Sequence, residues 1–122
     1  MAKFMVLYSS TNKAGEVMAN TTPEELKASM DEWLAWREEA KKTVTAVDFG
    51  LPLQAISRLS YEGITESSNP ASGYSIVEED SKEALVDVLK KHPHLKRSSE
   101  SIDVFEMLPM PGVQPKTQVI IN

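Results

Sequence analysis

The chain has 122 residues, a net charge of −5, no cysteine, 41% apolar and 25% charged residues. That length suits one domain with a core of its own, and the lack of cysteine excludes disulfides, thiolate zinc sites and cysteine nucleophiles. The acidic balance argues against nucleic acid as a partner, because phosphate binding needs a basic surface.

Phe4 to Tyr8 is a short apolar run ended by Ser9, Ser10 and Thr11. Its length and composition predict a strand over 3–8, apolar on both faces. It is too short for the apolar region of a signal peptide, and no run elsewhere approaches the roughly 18 residues of a membrane span. A cytoplasmic protein without a membrane partner is the expectation. Residues 9–21 are polar, contain Gly15 and read as a loop. Thr22-Pro23-Glu24-Glu25 then supplies a cap residue, a proline at the first helical position and a capping-box glutamate three residues after the cap. Leu26, Met30, Trp33, Leu34 and Ala40 follow at helical spacing, with Trp36 at the edge of their face. Acidic residues lead, and Arg37, Lys41 and Lys42 close the segment, as the helix dipole prefers. The helix spans 23–42.

Thr43 to Asp48 is β-branched and short, a second strand punctuated by Phe49-Gly50-Leu51-Pro52. Gln54 to Tyr61 alternates loosely as a third strand. Residues 62–73 form a turn-rich connection, and Tyr74 to Glu78 is a fourth strand that should pair with the third as a hairpin. Asp80 or Ser81 starts a second helix, with Glu83 completing a capping box from Asp80. Ala84, Leu85, Val88 and Leu89 form its apolar stripe and Pro93 stops it. Ser101 to Met107 is a fifth strand. Pro109, Pro111, Gly112 and Pro115 mark an irregular tail.

The order β-α-β-β-β-α-β, with the extra hairpin strand set aside, is the split βαβ arrangement of ferredoxin-like folds. The class is α+β, with two helices on one face of an antiparallel sheet, over residues 1–110; residues 111–122 form the tail. The strands are nevertheless apolar on both faces: Phe4, Val6 and Tyr8 oppose Met5 and Leu7, and Ile102 and Val104 oppose Phe105 and Met107. A face in water would carry polar residues. The second face therefore needs a cover. A two-fold homodimer is the first choice, and the chain's own C-terminal tail is the alternative. Thr117 to Ile121 can also pair as an edge strand on a partner chain.

Gly73-Tyr74-Ser75-Ile76-Val77-Glu78, Asp80-Ser81-Lys82-Glu83-Ala84, Pro93-His94-Leu95 and Ser101-Ile102-Asp103-Val104-Phe105 together resemble the YCII-related family, including its DGPF-domain branch. The Lys3–Tyr8 strand and the Thr22-Pro23-Glu24-Glu25 helix start look like that branch too, so the likeness runs in order over residues 3–110. The resemblance implies a dimeric α+β barrel, in which two ferredoxin-like sheets close face to face. Some relatives are linked to lyase or dehalogenation chemistry on small ring compounds, with a His–Asp pair in the cleft. This chain departs from the pattern. Glu62-Gly63-Ile64-Thr65-Glu66 stands where the Asp-Gly-Pro-Phe signature would be, and only Glu66 and Gly73 line up with the branch's loop. No histidine lies between Leu26 and Lys42, so the His–Asp pair that some members build from the first helix has no counterpart.

Candidate chemistry rests on few side chains. His92 and His94 are the only histidines, and they flank Pro93 at a helix end without the spacing of a metal pair. As structural residues, His92 is a solvated helix-end side chain and His94 packs or hydrogen-bonds near the turn. As a functional residue His94 ranks first, because it stands in the family's Pro-His-Leu segment. Asp48 ends a strand before Phe49-Gly50, where it can act as a base, bind a substrate hydroxyl or, as the favoured reading, hold an Asx-turn. Lys90, Lys91, Lys96 and Arg97 cluster near the second helix's C-terminus, where the dipole draws cations. Trp33 and Trp36 read as packing residues, with ligand stacking by Trp36 as the other role. No cofactor loop, zinc spacing or serine-nucleophile motif occurs. The first expectation is thus a homodimer that binds a small organic molecule, with proton transfer of the lyase or isomerase type. Asp48 or His94 would be its acid or base, Arg58 or Tyr8 would position the ligand, and Trp36 and Glu66 would complete the contacts. The alternative is a non-catalytic interaction or structural module of the same fold, which a filled, dry cleft would favour.

Overall fold

A computed structural model describes residues 2–11 and 19–112. Its strands are β1 (Ala2–Ser10), β2 (Thr45–Asp48), β3 (Ser57–Ser60), β4 (Gly63–Glu66), β5 (Ala71–Glu79) and β6 (Glu100–Glu106). Two helices, α1 (Pro23–Ala40) and α2 (Lys82–Leu89), and a 3₁₀ turn at Pro93–Lys96 complete the order. The fold is α+β. One antiparallel sheet runs β2-β5-β1-β6, the ferredoxin-like order, and β3 and β4 form a separate two-stranded ribbon.

The helix starts follow from their caps. Thr22 Oγ1 accepts the Glu25 N–H at 3.1 Å and donates its own hydrogen to the Glu25 carboxylate at 2.9 Å, so an orphan amide of the first turn is satisfied. α1 ends at Ala40, two residues before the expected end, as the Thr43 and Val44 amides both close on the Ala40 carbonyl. Ser81, not Asp80, caps α2: its side chain accepts the Ala84 N–H at 3.2 Å, which leaves Glu83 out of any capping box. Pro93 lies beyond the end of α2 and opens the 3₁₀ turn.

Alternation along the strands decides what each face meets. Phe4, Val6 and Tyr8 of β1 and Val77 of β5 are buried under the helices with Val44, Leu85 and Leu89, flanked by Trp33, Trp36, Val88, Ile102 and Val104. Both helices therefore cover one face. On the opposite face Met5 pairs with Ile76 and Phe105, and Leu7 with Tyr74. Met5, Leu7 and Ile76 are half-buried, whereas Phe105 is 50% exposed.

The hairpin differs from its expectation. Residues 57–60, within the expected third strand, pair across Tyr61 and Glu62 with 63–66, which lie in the segment expected to be a connection, and not with the strand at 74–78. That strand is instead nine residues long and lies between β1 and β2. Physically, the shorter loop closes first at lower entropic cost, and a strand with a buried face at Ser75 and Val77 belongs in the sheet interior. Between the two ribbons of pairing the chain stays in step: Pro52 bridges Gly73, the Leu53 N–H donates to Ser72 O at 2.9 Å, and the Ser67 N–H to Ile56 O at 3.3 Å. The pairs β2–β5 and β3–β4 thus form one long interrupted hairpin that runs past the end of the sheet. The tail strand expected at 117–121 lies outside the described residues. Among the described residues, no helix is long and apolar enough to cross a membrane.

Candidate functional site

The turn after α2 buries both histidines. His92 precedes the 3₁₀ turn and its Nδ1 accepts the His94 N–H at 2.9 Å. The imidazole proton therefore sits on Nε2, which is buried without a hydrogen-bond partner. Around it stand Trp33 at 4.3 Å between ring centroids, Trp36 at 4.2 Å and Tyr8 at 5.0 Å. Burial, and secondarily the neighbouring His94, lowers the His92 pKa to about 3, so the ring is neutral. This overturns the solvated helix-end expectation: His92 is 2% exposed. The sequence hides it because a residue beside proline at a helix end resembles a surface position. The slot that receives the ring is built by α1, more than fifty residues away.

His94 is equally committed. Its Nε2 donates to the Ser9 carbonyl at 2.9 Å, its Nδ1 lies 3.8 Å from Glu100 Oε2, and its ring packs edge-on to Tyr8. It staples the turn to β1, in line with the packing role weighed for it. Tyr8 shares a 3.1 Å hydrogen bond with Ser75 Oγ, which in turn donates to Phe49 O at 2.9 Å. Burial pushes the Tyr8 hydroxyl above its ordinary pKa, against a smaller opposing effect of the Ser75 bond. Trp36 donates its indole N–H to Val88 O at 3.2 Å, tying α1 to α2. These rings are structural members of the core.

Asp48 occupies a different place, the exposed end of β2. One oxygen accepts the Gly50 N–H at 2.8 Å, the Asx-turn favoured from sequence, and the other accepts the Tyr74 hydroxyl at 3.1 Å. The hydrogen bond to Asp48, then its charge, raises the Tyr74 pKa. Gly50 is required there: its φ is +79°, and a Cβ would stand 1.8 Å from the Tyr74 carbonyl oxygen. Arg58 and Glu66 lie farther out, on the ribbon, where Arg58 pairs with Thr65 and Glu66 with Ser57. Facing residues share a side of a ribbon and neighbours alternate, so Arg58 and Glu66 occupy opposite sides. The candidates thus divide: Tyr8, Trp36 and His94 come together inside the core, Asp48 sits at the sheet end, and Arg58 and Glu66 stand on the ribbon. Sequence reasoning missed Ser75 and Tyr74. The signal for Ser75 was its position between Gly73 and Val77 on the buried side of an alternating strand.

Space for a ligand is scarce under the helices. The void between helices and sheet is about 10 Å³, lined by Val6, Trp36, Val44, Phe49, Val77 and Leu85 among others. That is room for about one water, and an apolar lining keeps such a void dry. A larger open groove of about 420 Å³ lies at the end of β1, between Ser10–Thr11, Leu53–Ala55 and Ser67–Ala71. Its described lining carries no titratable side chain, and neither Asp48 nor His94 borders either space. Among the described residues, no group of three or more His, Asp or Glu side chains is placed to hold a metal ion. No family model and no curated protein matches the chain.

Proposed function

We propose that this protein is a non-catalytic interaction module of the YCII-like, dimeric α+β-barrel kind, in which two copies pair through the open faces of their sheets. One contrast carries the reading: among the described residues, the helix side of the sheet closes around a void of about 10 Å³, while neither helix lies on the other side, where Met5, Leu7 and Ile76 are half-buried and Phe105 is 50% exposed. Both Asp48 oxygens are engaged in local bonds, and His94 is held against β1 and Glu100. Neither group borders the void under the helices or the groove at the end of β1. Pairing the open faces would remove Met5, Leu7, Ile76 and Phe105 from water at about 25 cal/mol per Å², and a two-fold axis lets one surface serve both partners.

Sedimentation velocity tests this directly. The expected species has twice the 13.5 kDa of one chain, and Phe105→Lys, which places a charge on the open face, returns it to a single chain. A wild-type protein that stays monomeric at every concentration defeats the reading.

The open groove favours a second reading, the binding of a small organic molecule, because about 420 Å³ falls in the ~300–1,000 Å³ range of ligand sites. Its lining of Gln54, Ser67, Ser68 and Asn69 suits an uncharged polar ligand. Proton-transfer chemistry would need an acid or base that this described lining lacks. A thermal-shift screen of neutral polar compounds, with Gln54→Ala as control, separates binding here from none.

A further inference from the structure

We infer that the outer flank of α1 docks an acidic amphipathic helix of another protein. At about 100° per residue, Leu26, Met30 and Leu34 fall within an arc of about 80° on α1, and they are 39%, 53% and 46% exposed. Arg37 and the cap residue Lys41 fall in the same arc, and Lys27 stands at its margin. The six carboxylates of α1, from Glu24 to Glu39, all lie outside it. A chain of net charge −5 thus carries one strip that is both apolar and cationic.

Contacts made by α1 show where the strip points. Trp36 donates to Val88 O and Glu32 pairs with Lys96, so α2 and the 3₁₀ turn lie along the other flank. Arg37 stacks its guanidinium 4.3 Å from the centre of the Phe49 ring, just past β2. The strip therefore looks out over the β2 edge, away from α2. It lies on the helix side of the sheet, so the inference goes beyond the sheet-to-sheet pairing and does not depend on it.

Charge and spacing select the occupant. Among the described residues Arg37 makes no ion pair, and its Nε is buried without a hydrogen-bond partner. Lys27 and Lys41 hold only exposed neighbours on the same helical segment, Asp31 at 3.2 Å and Glu38 at 3.4 Å. Such surface pairs are weak, and an incoming carboxylate can replace them. An apolar residue at every fourth position forms a ridge against which a second helix packs. A strand added to β2 fits less well, because the register shifts between Ala46 and Asp48 and Pro52 has no amide to donate. The docked helix has apolar residues at i, i+3, i+4 and i+7 with Asp or Glu beside them. An anionic membrane would match the strip too, but a surface that broad also meets the carboxylates that surround it.

The test uses the full chain and a fluorescein-labelled helical peptide of Leu, Ala and Glu with that spacing. Fluorescence anisotropy should show saturable binding with a dissociation constant below about 1 mM. Met30→Glu, at an exposed position, should keep the circular dichroism spectrum and weaken binding about thirty-fold or more, the loss expected of one hot-spot side chain. Arg37→Gln should weaken it and flatten its salt dependence. The same peptide with Lys in place of Glu should not bind. No saturation by the acidic peptide, equal binding of the basic one, or an unchanged constant for Met30→Glu overturns the inference. Co-sedimentation of the wild type, but not of Met30→Glu, with phosphatidylserine vesicles overturns it as well and assigns the strip to a membrane.

Discussion

The two faces of β1 are built from alternate residues of one strand, yet they lead opposite lives. Phe4, Val6 and Tyr8 are locked under helices, whereas Met5 and Leu7 lie on the face away from both helices and are half-buried. The second side also carries Lys3 and Ser9, with Glu78 opposite Lys3 and Asp103 opposite Leu7. The helices cover only the first side, and cover decides how much a side chain contributes to stability. Polar groups divide in the same way. On the covered face the Tyr8 hydroxyl is tied through Ser75 to a backbone carbonyl, and on the open face the Tyr74 hydroxyl meets Asp48 at the surface.

The largest expected contrast comes from truncation. Leu85→Ala removes a side chain that is 1% exposed, and urea denaturation should register a loss of about 2–5 kcal/mol. Phe105→Ala, measured at a dilution where the chain is monomeric, should cost well under half of that. Equal losses would mean that the open face is as fully covered as the other.

Acid provides the next test. An unfolded chain takes up a proton at His92 near the ordinary value of 6.5, while the folded chain holds that ring neutral down to about 3. The folded pKa is depressed, so the contribution is at its full value above pH 6.5 and declines as pH falls through the interval to about 3. The slope is at most about 1.4 kcal/mol per pH unit. Denaturation at pH 7 and at pH 4.5 should therefore differ more in the wild type than in His92→Gln. Parallel pH dependence in the two proteins would break the assignment.

Smaller still is the difference between the two tyrosines. Tyr8→Phe deletes one buried hydrogen bond and should cost about 1 kcal/mol in the same assay. Tyr74→Phe should leave the midpoint unmoved, because Asp48 keeps its bond to the Gly50 amide and water replaces the phenol.

Local chemistry was the most legible part of the sequence. Thr22-Pro23-Glu24-Glu25 announced a helix because capping depends on residues a few positions apart, and the alternation of β1 announced two apolar faces. The Asp48 turn was equally local. Non-local packing was hidden. The burial of His92 depends on Trp33 and Trp36 from a distant helix, and no pattern around Pro93 encodes that meeting. The ribbon is half legible: Ser57–Ser60 falls inside the strand expected over Gln54 to Tyr61, but Gly63-Ile64-Thr65-Glu66, short and exposed on both sides, has no hydrophobic alternation to mark it. The candidate site suffered most. Each of its residues is marked by its own side-chain chemistry alone, and only folding reveals that Tyr8, Trp36 and His94 share a core that excludes Asp48, Arg58 and Glu66.

The unshared Nε2–H of His92 has a spectroscopic consequence. Enclosed by Trp33, Trp36 and Tyr8 and cut off from solvent, that proton lies in the ring currents of several aromatic systems and exchanges with bulk water slowly. It should give a single resolved nitrogen-bound proton resonance, displaced from ordinary histidine positions. Because all three rings must be seated to produce it, that one line reports whether α1, α2 and β1 are docked together.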